Sequence, residues 1–221
     1  MAYNLGTVRG RIQQKLDDTN FETAKLNQFI NDGQRDILNS RRFVFMEREA
    51  DVTTTSGSQL LSGLPTNMQT PLSLRVYSPT GYALMLTYME YEDLDTSIPN
   101  VNLVGRTVPQ AWYVFNLAPL VYPIADNTYT LKLKYIKAPD ELASDSDVPE
   151  VPEAFSELIV LAGYKRALEH NDDFDQAQVV QIQIENHMNK LDDRYKRQDG
   201  LPHIMRQPNR VNRPFRSIRG L

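Results

Sequence analysis

Apolar residues recur at helical spacing near the start of the chain. One stripe has an apolar residue at every fourth position and predicts a short helix with Thr7 as its N-cap; its residues are Val8, Ile12 and Leu16. A second stripe predicts a helix over residues 23–40, and its positions are Leu26, Phe29, Ile30, Gly33 and Ile37. Because glycine has no side chain, we expect Gly33 to let another helix approach closely.

A second pair of helices is predicted near the end of the chain. Pro152 suits the first turn of a helix that closes at residues 171–172, and Asp173 is a suitable N-cap for the longer helix that follows. Their apolar faces are formed by Phe155, Leu158, Ile159, Ala162 and Leu168 and by Ala177, Val180, Ile184, Met188, Leu191 and Tyr195. The two pairs would pack as a four-helix bundle made from both ends of the chain.

The middle of the chain has the two-residue alternation of β-strands. Residues 128–137 alternate most clearly, and residues 72–77 and 82–91 flank the Ser-Pro-Thr-Gly sequence of a hairpin loop. Residues 111–115 add a strand that carries the single tryptophan. The pattern predicts an α+β fold, in which an antiparallel β-module is inserted into the helical bundle and an extended C-terminal tail follows.

These elements divide the chain into four parts. Residues 1–42 form the first helical part of the bundle, and residues 43–148 form the β-rich insertion module. Residues 149–197 form the helical hairpin that completes the bundle, and residues 198–221 form an extended basic docking tail. An acidic linker with prolines, residues 145–152, leads into the hairpin.

Charge is distributed unevenly along the chain. The 24 bases and 28 acids give a formal net charge of −4, but from residue 196 onward seven bases and one acid give +6. The preceding residues hold 17 bases and 27 acids and carry −10. An acidic body repels polyanions, whereas the basic tail favours an acidic partner, so the tail is interpreted as a docking segment.

The tail has apolar residues between its arginines, which a purely solubilising tail would not need. Its prolines oppose a helix, so we expect an extended segment whose apolar residues fill pockets while its arginines pair with carboxylates. The expected docking residues are Arg206, Arg210, Val211, Arg213, Phe215, Arg216, Ile218 and Arg219. A tail that serves solubility alone is the alternative at this point.

No motif for catalysis, cofactor binding or metal binding stands out. The chain has no cysteine, its three histidines are scattered, and the glycine-rich phosphate-binding and nucleophile-elbow sequences are absent. One acidic group, Glu90, Glu92, Asp93 and Asp95 at a strand end, is interpreted as a solvated edge, and a second group, Asp140, Glu141, Asp145 and Asp147 in or beside the linker, has no partner in view. The sequence has no apolar run of about 20 residues and no secretory signal. We therefore expect no catalytic residue, no cofactor, no metal ion and no membrane contact.

The two helical parts and the strand before the second part resemble a known family. The positions are Val8-x3-Ile12-x3-Leu16, Leu26-x2-Phe29-Ile30-Asn31-x-Gly33-Gln34-x2-Ile37, Tyr129-x-Leu131-x-Leu133-x-Tyr135-x3-Pro139-x2-Leu142, and Val148-Pro149-Glu150-Val151-Pro152 before Phe155-x2-Leu158-Ile159-x2-Ala162-x4-Ala167-Leu168. This layout resembles the head-to-tail adaptor (connector or head-completion) proteins of tailed bacteriophages, particularly those of short-tailed phages. The middle of the insertion, residues 51–110, contributes nothing to this resemblance.

The resemblance implies a ring of identical subunits, expected to be a dodecamer, at the head–tail interface of the virion. Such a ring docks beneath the portal protein, extends the DNA channel without recognising the DNA sequence, and provides a platform for tail or nozzle proteins. Family tails commonly reach the portal, which agrees with the independent interpretation of the basic tail. The resemblance also implies no catalytic residues, and assembly in the host cytoplasm.

Two other classes of function stay open at this point. A nucleic-acid-binding regulator would use the basic tail or the helical hairpin, or would stack bases on a strand surface formed by Trp112, Tyr113, Phe115, Tyr135, Lys132 and Lys134. Steep salt dependence of binding to duplex DNA would favour that regulator. An enzyme would need a carboxylate site that no motif reveals.

Overall fold

The computed structural model describes residues 3–77, 83–98, 100 and 104–195, so the predicted hairpin loop at residues 78–81 and the tail lie outside it. Its helices are α1 (Leu5–Leu16), α2 (Thr23–Ser40), α3 (Tyr91–Ser97), α4 (Glu157–His170) and α5 (Phe174–Tyr195). Its strands are β1 (Glu47–Thr54), β2 (Leu61–Ser62), β3 (Met68–Tyr77), β4 (Ala83–Met85), β5 (Thr87–Tyr88), β6 (Ala111–Phe115), β7 (Ala118–Tyr122) and β8 (Thr130–Lys137). The predicted α+β class is confirmed, since α1 and α2 precede the strands and α4 and α5 follow them.

Helix α4 lies at the centre of the bundle, where it packs against α1, α2 and α5. All residues from Leu158 to Gly163 are buried, which is the pattern of a helix enclosed by its neighbours. The side chains that α1, α2 and α4 bring to this core include Leu5, Val8, Ile12, Leu26, Ile30, Ile37, Leu158 and Ile159. The stripes predicted on α1 and α2 therefore face the core of the bundle.

Two glycines allow the helices of the bundle to approach closely. A Cβ on Gly33 of α2 would lie 2.8 Å from the Cβ of Ala162, and a Cβ on Gly163 of α4 would lie 2.7 Å from Cδ1 of Ile12. Both distances are far shorter than a van der Waals contact, so any side chain at either position would have to push its neighbour away. The close approach predicted at Gly33 is confirmed.

The N-cap of α1 is Asn4 rather than the predicted Thr7. Oδ1 of Asn4 accepts from the Thr7 N–H at 3.0 Å, and Oγ1 of Thr7 accepts from the Asn4 N–H at 2.9 Å, which makes a reciprocal capping box. Asn4 keeps an extended backbone, whereas Thr7 is already inside the helix. At α5 the predicted cap is confirmed, because Oδ1 of Asp173 accepts from the Gln176 N–H at 3.3 Å.

The strands form two sheets that share a core. The order β2-β1-β8-β3-β4 makes an antiparallel five-stranded sheet, and the order β5-β6-β7 makes a three-stranded sheet whose β5–β6 pair is parallel. Side chains that meet between the sheets include Val52, Leu74, Val76, Leu131, Leu133, Trp112 and Val121. Burial alternates along β8, as predicted for residues 128–137.

The segment predicted as one strand over residues 82–91 is divided in the structure. β4 belongs to the five-stranded sheet and β5 to the three-stranded sheet, and Leu86 lies between them. The Leu86 N–H donates to the Leu74 carbonyl at 3.0 Å in the first sheet, whereas the next N–H donates to the Gln110 carbonyl at 3.0 Å beside the second. The chain therefore changes sheets at Leu86, and α3 begins at Tyr91, where the predicted strand ends.

Candidate interaction surfaces

The docking residues predicted in the tail lie outside the described residues. They are Arg206, Arg210, Val211, Arg213, Phe215, Arg216, Ile218 and Arg219. The last described residue is Tyr195, whose ring centroid lies 5.5 Å from that of Phe45 and 5.9 Å from that of Phe155. Phe45 comes just before β1 and Phe155 just before α4, so the chain leaves α5 at the junction between the bundle and the five-stranded sheet.

The linker, defined here as the residues between β8 and α4, is fastened to α2 by two buried amides. Nδ2 of Asn31 donates to the Leu142 carbonyl at 3.0 Å, and Oδ1 of Asn31 accepts from the Leu142 N–H at 2.8 Å. One turn later, Nε2 of Gln34 donates to the Asp140 carbonyl at 3.0 Å, and Oε1 accepts from the Glu150 N–H at 3.2 Å. Each amide thus bonds to the linker backbone as both donor and acceptor.

The sequence pattern contained Asn31 and Gln34 only as letters of the family resemblance and gave them no role. The available signal was their position, because both lie on the buried face of α2 with exposed fractions of 8% and 1%. Buried amides need hydrogen-bond partners. Sequence reasoning could not name those partners, since Leu142 is 111 residues further along the chain.

Lys137, the last residue of β8, pairs with two carboxylates of the linker. Its Nζ lies 2.6 Å from a carboxylate oxygen of Asp140 and 2.5 Å from one of Glu150. Burial lowers the pKa of Lys137, but the bonds to the two carboxylates outweigh this effect and raise the pKa above its ordinary value. The Lys137 ammonium also lowers the pKa of Asp140. This ion-pair group holds Asp140 and Glu150 of the linker close to the end of β8.

The linker also completes the first turn of α1. The N–H groups of Leu5 and Gly6 donate to the carbonyls of Asp147 and Asp145 at 2.8 and 3.1 Å, so donors that have no partner inside the helix are satisfied. The Asp145 carboxylate binds Arg9 in a bidentate pair at 2.9 and 3.0 Å, which lowers the pKa of Asp145. The sequence showed no partner for the acidic group of the linker, and the structure gives Asp145 one in Arg9.

The other acidic group lies on helix α3 and not at a strand end. Glu90 precedes the helix, and Glu92 and Asp93 lie in its first turn, where negative side chains stabilise the positive end of a helix. Oη of Tyr88 donates to the Glu90 carboxylate at 3.2 Å. Among the residues that the structure describes, no group of three or more acidic or histidine side chains is arranged to hold a metal ion.

The hypothesis that aromatic residues of the strands form a surface on which nucleic-acid bases stack is wrong. Trp112, Tyr113 and Tyr135 are buried, and Trp112 and Tyr135 lie in the core between the two sheets. Aromatic side chains in strands bury a large apolar area, which favours the core over the surface. Phe115 is the aromatic residue of that set that is exposed.

Almost the whole chain matches one family of proteins. The family model described as SU10 adaptor protein matches residues 3–212. The chain belongs to the SU10 adaptor protein family. Members of this family are structural adaptor proteins of bacteriophages, so the resemblance to phage head–tail adaptors is confirmed at that level. No curated protein matched the chain.

The SU10 adaptor match includes regions that the resemblance left out. It spans residues 51–110, so the β-module is part of what the family model recognises. It also includes the first predicted docking residues, Arg206, Arg210 and Val211, and ends before Arg213, Phe215, Arg216, Ile218 and Arg219. Within the described ranges, this SU10 adaptor has no helix with the length and apolarity that a membrane span requires.

Proposed function

We propose that the protein is one subunit of an adaptor ring at the head–tail interface of a short-tailed phage. The ring docks on the portal protein, extends the DNA channel and carries tail or nozzle proteins. The observation that carries this proposal is the SU10 adaptor family match over residues 3–212. An adaptor joins two other parts of a virion, and the portal and the tail are the parts that meet at this interface.

The basic tail supports docking on the portal. From residue 196 onward seven bases oppose one acid, and the preceding residue, Tyr195, is packed against Phe45 and Phe155. In this proposal the arginines pair with portal carboxylates, while Val211, Phe215 and Ile218 fill apolar pockets. The packed Tyr195 gives the tail a fixed point of departure from the body.

The acidic body supports the passage of DNA without retention. Before residue 196, 27 acids exceed 17 bases, and a negative surface repels the phosphate backbone. DNA would therefore slide through the channel, because its phosphates are not held by pairs with lysine or arginine. Sequence recognition plays no part in this function.

A dodecameric ring strengthens attachment, because several tails of modest affinity that engage together dissociate far more slowly than one. Contacts within a ring are heterologous, so each subunit uses different surfaces towards its two neighbours. We assign residues 1–42 and 149–197 to the frame of the ring, residues 43–148 to the side that meets the tail proteins, and residues 198–221 to the docking arm. The protein acts without catalysis or cofactors and assembles in the host cytoplasm.

Removal of the arm tests the proposal. The full-length chain and a variant that lacks residues 200–221 are each sedimented with purified portal rings. We expect the full-length chain to sediment with the portal in a fixed stoichiometry. The shortened chain should keep its circular dichroism spectrum and lose the association, and undiminished association would contradict the proposal.

Matched variants separate charge from apolar contact within the arm. One replaces arginines by glutamine at Arg206, Arg210, Arg213, Arg216 and Arg219, and another replaces Phe215 and Ile218 by serine. Both should weaken portal binding, whereas the control Lys196→Gln, which lies outside the docking set, should change it little. The same proteins are titrated with short duplex DNA at several salt concentrations. Steep salt-dependent DNA binding without portal binding would favour the nucleic-acid-binding alternative.

A further inference from the structure

Exposed apolar side chains lie on one face of the three-stranded sheet and at its β6–β7 turn. We call Leu60, Tyr91, Phe115 and Leu117 the tip patch. Their exposed fractions are 62%, 39%, 51% and 84%, and the ring centroids of Tyr91 and Phe115 lie 4.8 Å apart. Two aromatic rings in contact and yet largely exposed are typical of a binding surface, because packing within the subunit alone would bury them.

Three members of the tip patch, Leu60, Tyr91 and Phe115, share a face of the sheet, and the fourth, Leu117, lies in the turn that follows Phe115. Tyr113 and Leu120 are paired across β6 and β7, and Leu60 forms an isolated bridge with Leu120. Residues directly opposite each other lie on the same side of a sheet, as do residues two apart along a strand. Phe115 follows Tyr113 by two, and the Tyr91 ring stacks on Tyr113 with centroids 6.1 Å apart. Trp112 faces the opposite way, into the core between the sheets.

The turn between β6 and β7 presents Leu117 in a backbone conformation that leucine disfavours. Asn116 and Leu117 have φ angles of 49° and 63°. A two-residue hairpin turn with positive φ at both positions favours asparagine followed by glycine, and leucine carries a steric cost there. Because 84% of Leu117 is exposed, burial within the subunit offsets little of this cost. An unfavourable residue displayed at a tip indicates a role in contact with another molecule.

The charges beside the tip patch indicate what kind of molecule it contacts. Helix α3 places Tyr91 among the carboxylates of Glu90, Glu92, Asp93 and Asp95. Between residues 76 and 131 the sequence has a single base, Arg106, which lies against Gly57 in the loop after β1. An acidic apolar patch repels DNA and anionic membranes, and it complements an apolar pocket bordered by lysine or arginine on a protein.

We propose that the tip patch docks the tail protein that this adaptor carries, with Phe115 and Leu117 inserted into an apolar pocket that basic side chains border. This inference rests on the proposed function and assigns its attachment platform to the β6–β7 hairpin and α3. Exposed aromatic and aliphatic anchors of this kind supply most of the affinity of an interface. Tyr195, the last described residue before the arm, contacts Phe45 and Phe155, and none of these three residues belongs to the tip patch.

The variant Leu117→Gly tests this inference, because it removes the anchor and also relieves the turn, so the subunit folds at least as well as the wild type. A phage whose own copy of the gene is inactivated is complemented with each variant, and purified particles are assayed for adaptor and tail protein. We expect Leu117→Gly particles to contain normal adaptor and about tenfold less tail protein. The double variant Glu92→Lys and Asp93→Lys should also lower the content of tail protein. The control Leu117→Met, which keeps an apolar side chain in the turn, should retain it.

Each outcome decides the inference separately from the proposed function. Normal tail-protein content in Leu117→Gly particles would overturn the role of the tip patch and leave the adaptor function intact. Loss of the adaptor itself from these particles would also overturn it, because the patch would then serve the head or the ring. Particles that carry tails although the phage was given no copy of the adaptor, wild-type or variant, would contradict the proposed function.

Discussion

Asn31 and Leu142, which are 111 residues apart in the sequence, are joined by two hydrogen bonds between the buried amide and the backbone of the linker. Nδ2 of Asn31 lies 3.0 Å from the carbonyl oxygen of Leu142, and Oδ1 of Asn31 lies 2.8 Å from the Leu142 nitrogen. Because the linker follows β8 directly, these bonds fix where the chain returns from the β-module to the helical bundle. One side chain on α2 therefore helps to set the position of a sheet.

The variant Asn31→Ala should destabilise the protein, because it leaves a buried N–H and a buried carbonyl of Leu142 without partners. We expect the free energy of unfolding to fall by about 1–3 kcal/mol, measured by urea denaturation. The control Gln28→Ala changes an exposed amide on the same helix, and we expect a change within about 0.5 kcal/mol. Equal effects of the two substitutions would show that the linker does not depend on Asn31.

The variant Gly33→Ala should also destabilise the protein, although alanine favours a helix over glycine by about 1 kcal/mol. The added Cβ would lie 2.8 Å from the Cβ of Ala162, and the displacement should cost about 1–3 kcal/mol. Addition of Ala162→Gly should restore part of the loss, and a double-mutant cycle measures that coupling.

Gly10 provides the matched control for Gly33. It lies in α1, and no atom comes within 4 Å of a Cβ built there. We expect Gly10→Ala to raise the free energy of unfolding by up to about 1 kcal/mol, since only helix propensity changes. A destabilised Gly10→Ala together with a neutral Gly33→Ala would contradict the close approach of α2 and α4.

The pair of Lys137 and Asp140 should make stability depend on pH. The hydrogen bond from Lys137 is the main cause that lowers the pKa of Asp140 below its ordinary value of 3.8. A carboxyl group whose pKa is lower in the folded state stabilises the fold at pH values above its pKa in the unfolded state. This contribution is lost as the pH falls through the pKa in the folded state. Asp140→Asn should therefore lower the urea midpoint at about pH 7 and have little effect at about pH 2.

Two further variants check this assignment of the pH effect. The pKa of Lys137 is raised above 10.5, so its contribution is complete below that value and is lost as the pH rises through the folded pKa. Lys137→Met should thus lower stability at about pH 7, and its difference from wild type should shrink in strong alkali. Glu141→Gln removes a neighbouring exposed carboxylate. If it lowers stability as much as Asp140→Asn does, the effect is not specific to the pair of Lys137 and Asp140.

The variant Leu117→Gly should raise the free energy of unfolding by about 1 kcal/mol, because glycine adopts the positive φ of 63° without a Cβ clash. Thermal denaturation followed by circular dichroism measures the change. Asn116→Gly is the matched control and should raise the free energy of unfolding by less, since asparagine tolerates positive φ better than leucine does. A loss of stability in Leu117→Gly would show that the leucine side chain is held within the subunit.

Patterns that depend on spacing along the chain predicted the fold well. The stripe from Leu26 to Ile37 and the alternation along β8 each report which face is buried, and the structure buries those faces. The change of sheets at Leu86 could not be predicted, because Leu84, Leu86 and Tyr88 alternate with their neighbours without a break. What divides the strand is the choice of hydrogen-bond partners, Leu74 on one side and Gln110 on the other, and these come from distant parts of the chain.

The candidate sites were predicted less completely than the fold. The tail was identified by composition, and its docking residues stay a prediction. The amides of Asn31 and Gln34 were visible in the sequence, but their backbone partners depend on the tertiary structure. Leu117 looks like an ordinary core residue in the sequence, and only the position of the turn shows that it is exposed.

The central position of α4 also determines when the bundle is completed during synthesis. Ile12 and Ile30 are covered by α4, around Gly163, and α4 begins at residue 157, after every strand has been made. At a translation rate of about 5–20 residues per second, α2 waits on the order of ten seconds for this partner. All strands of the β-module are thus synthesised before the bundle can be completed, and we expect a chain interrupted before residue 157 to leave the apolar faces of α1 and α2 open to chaperones and proteases.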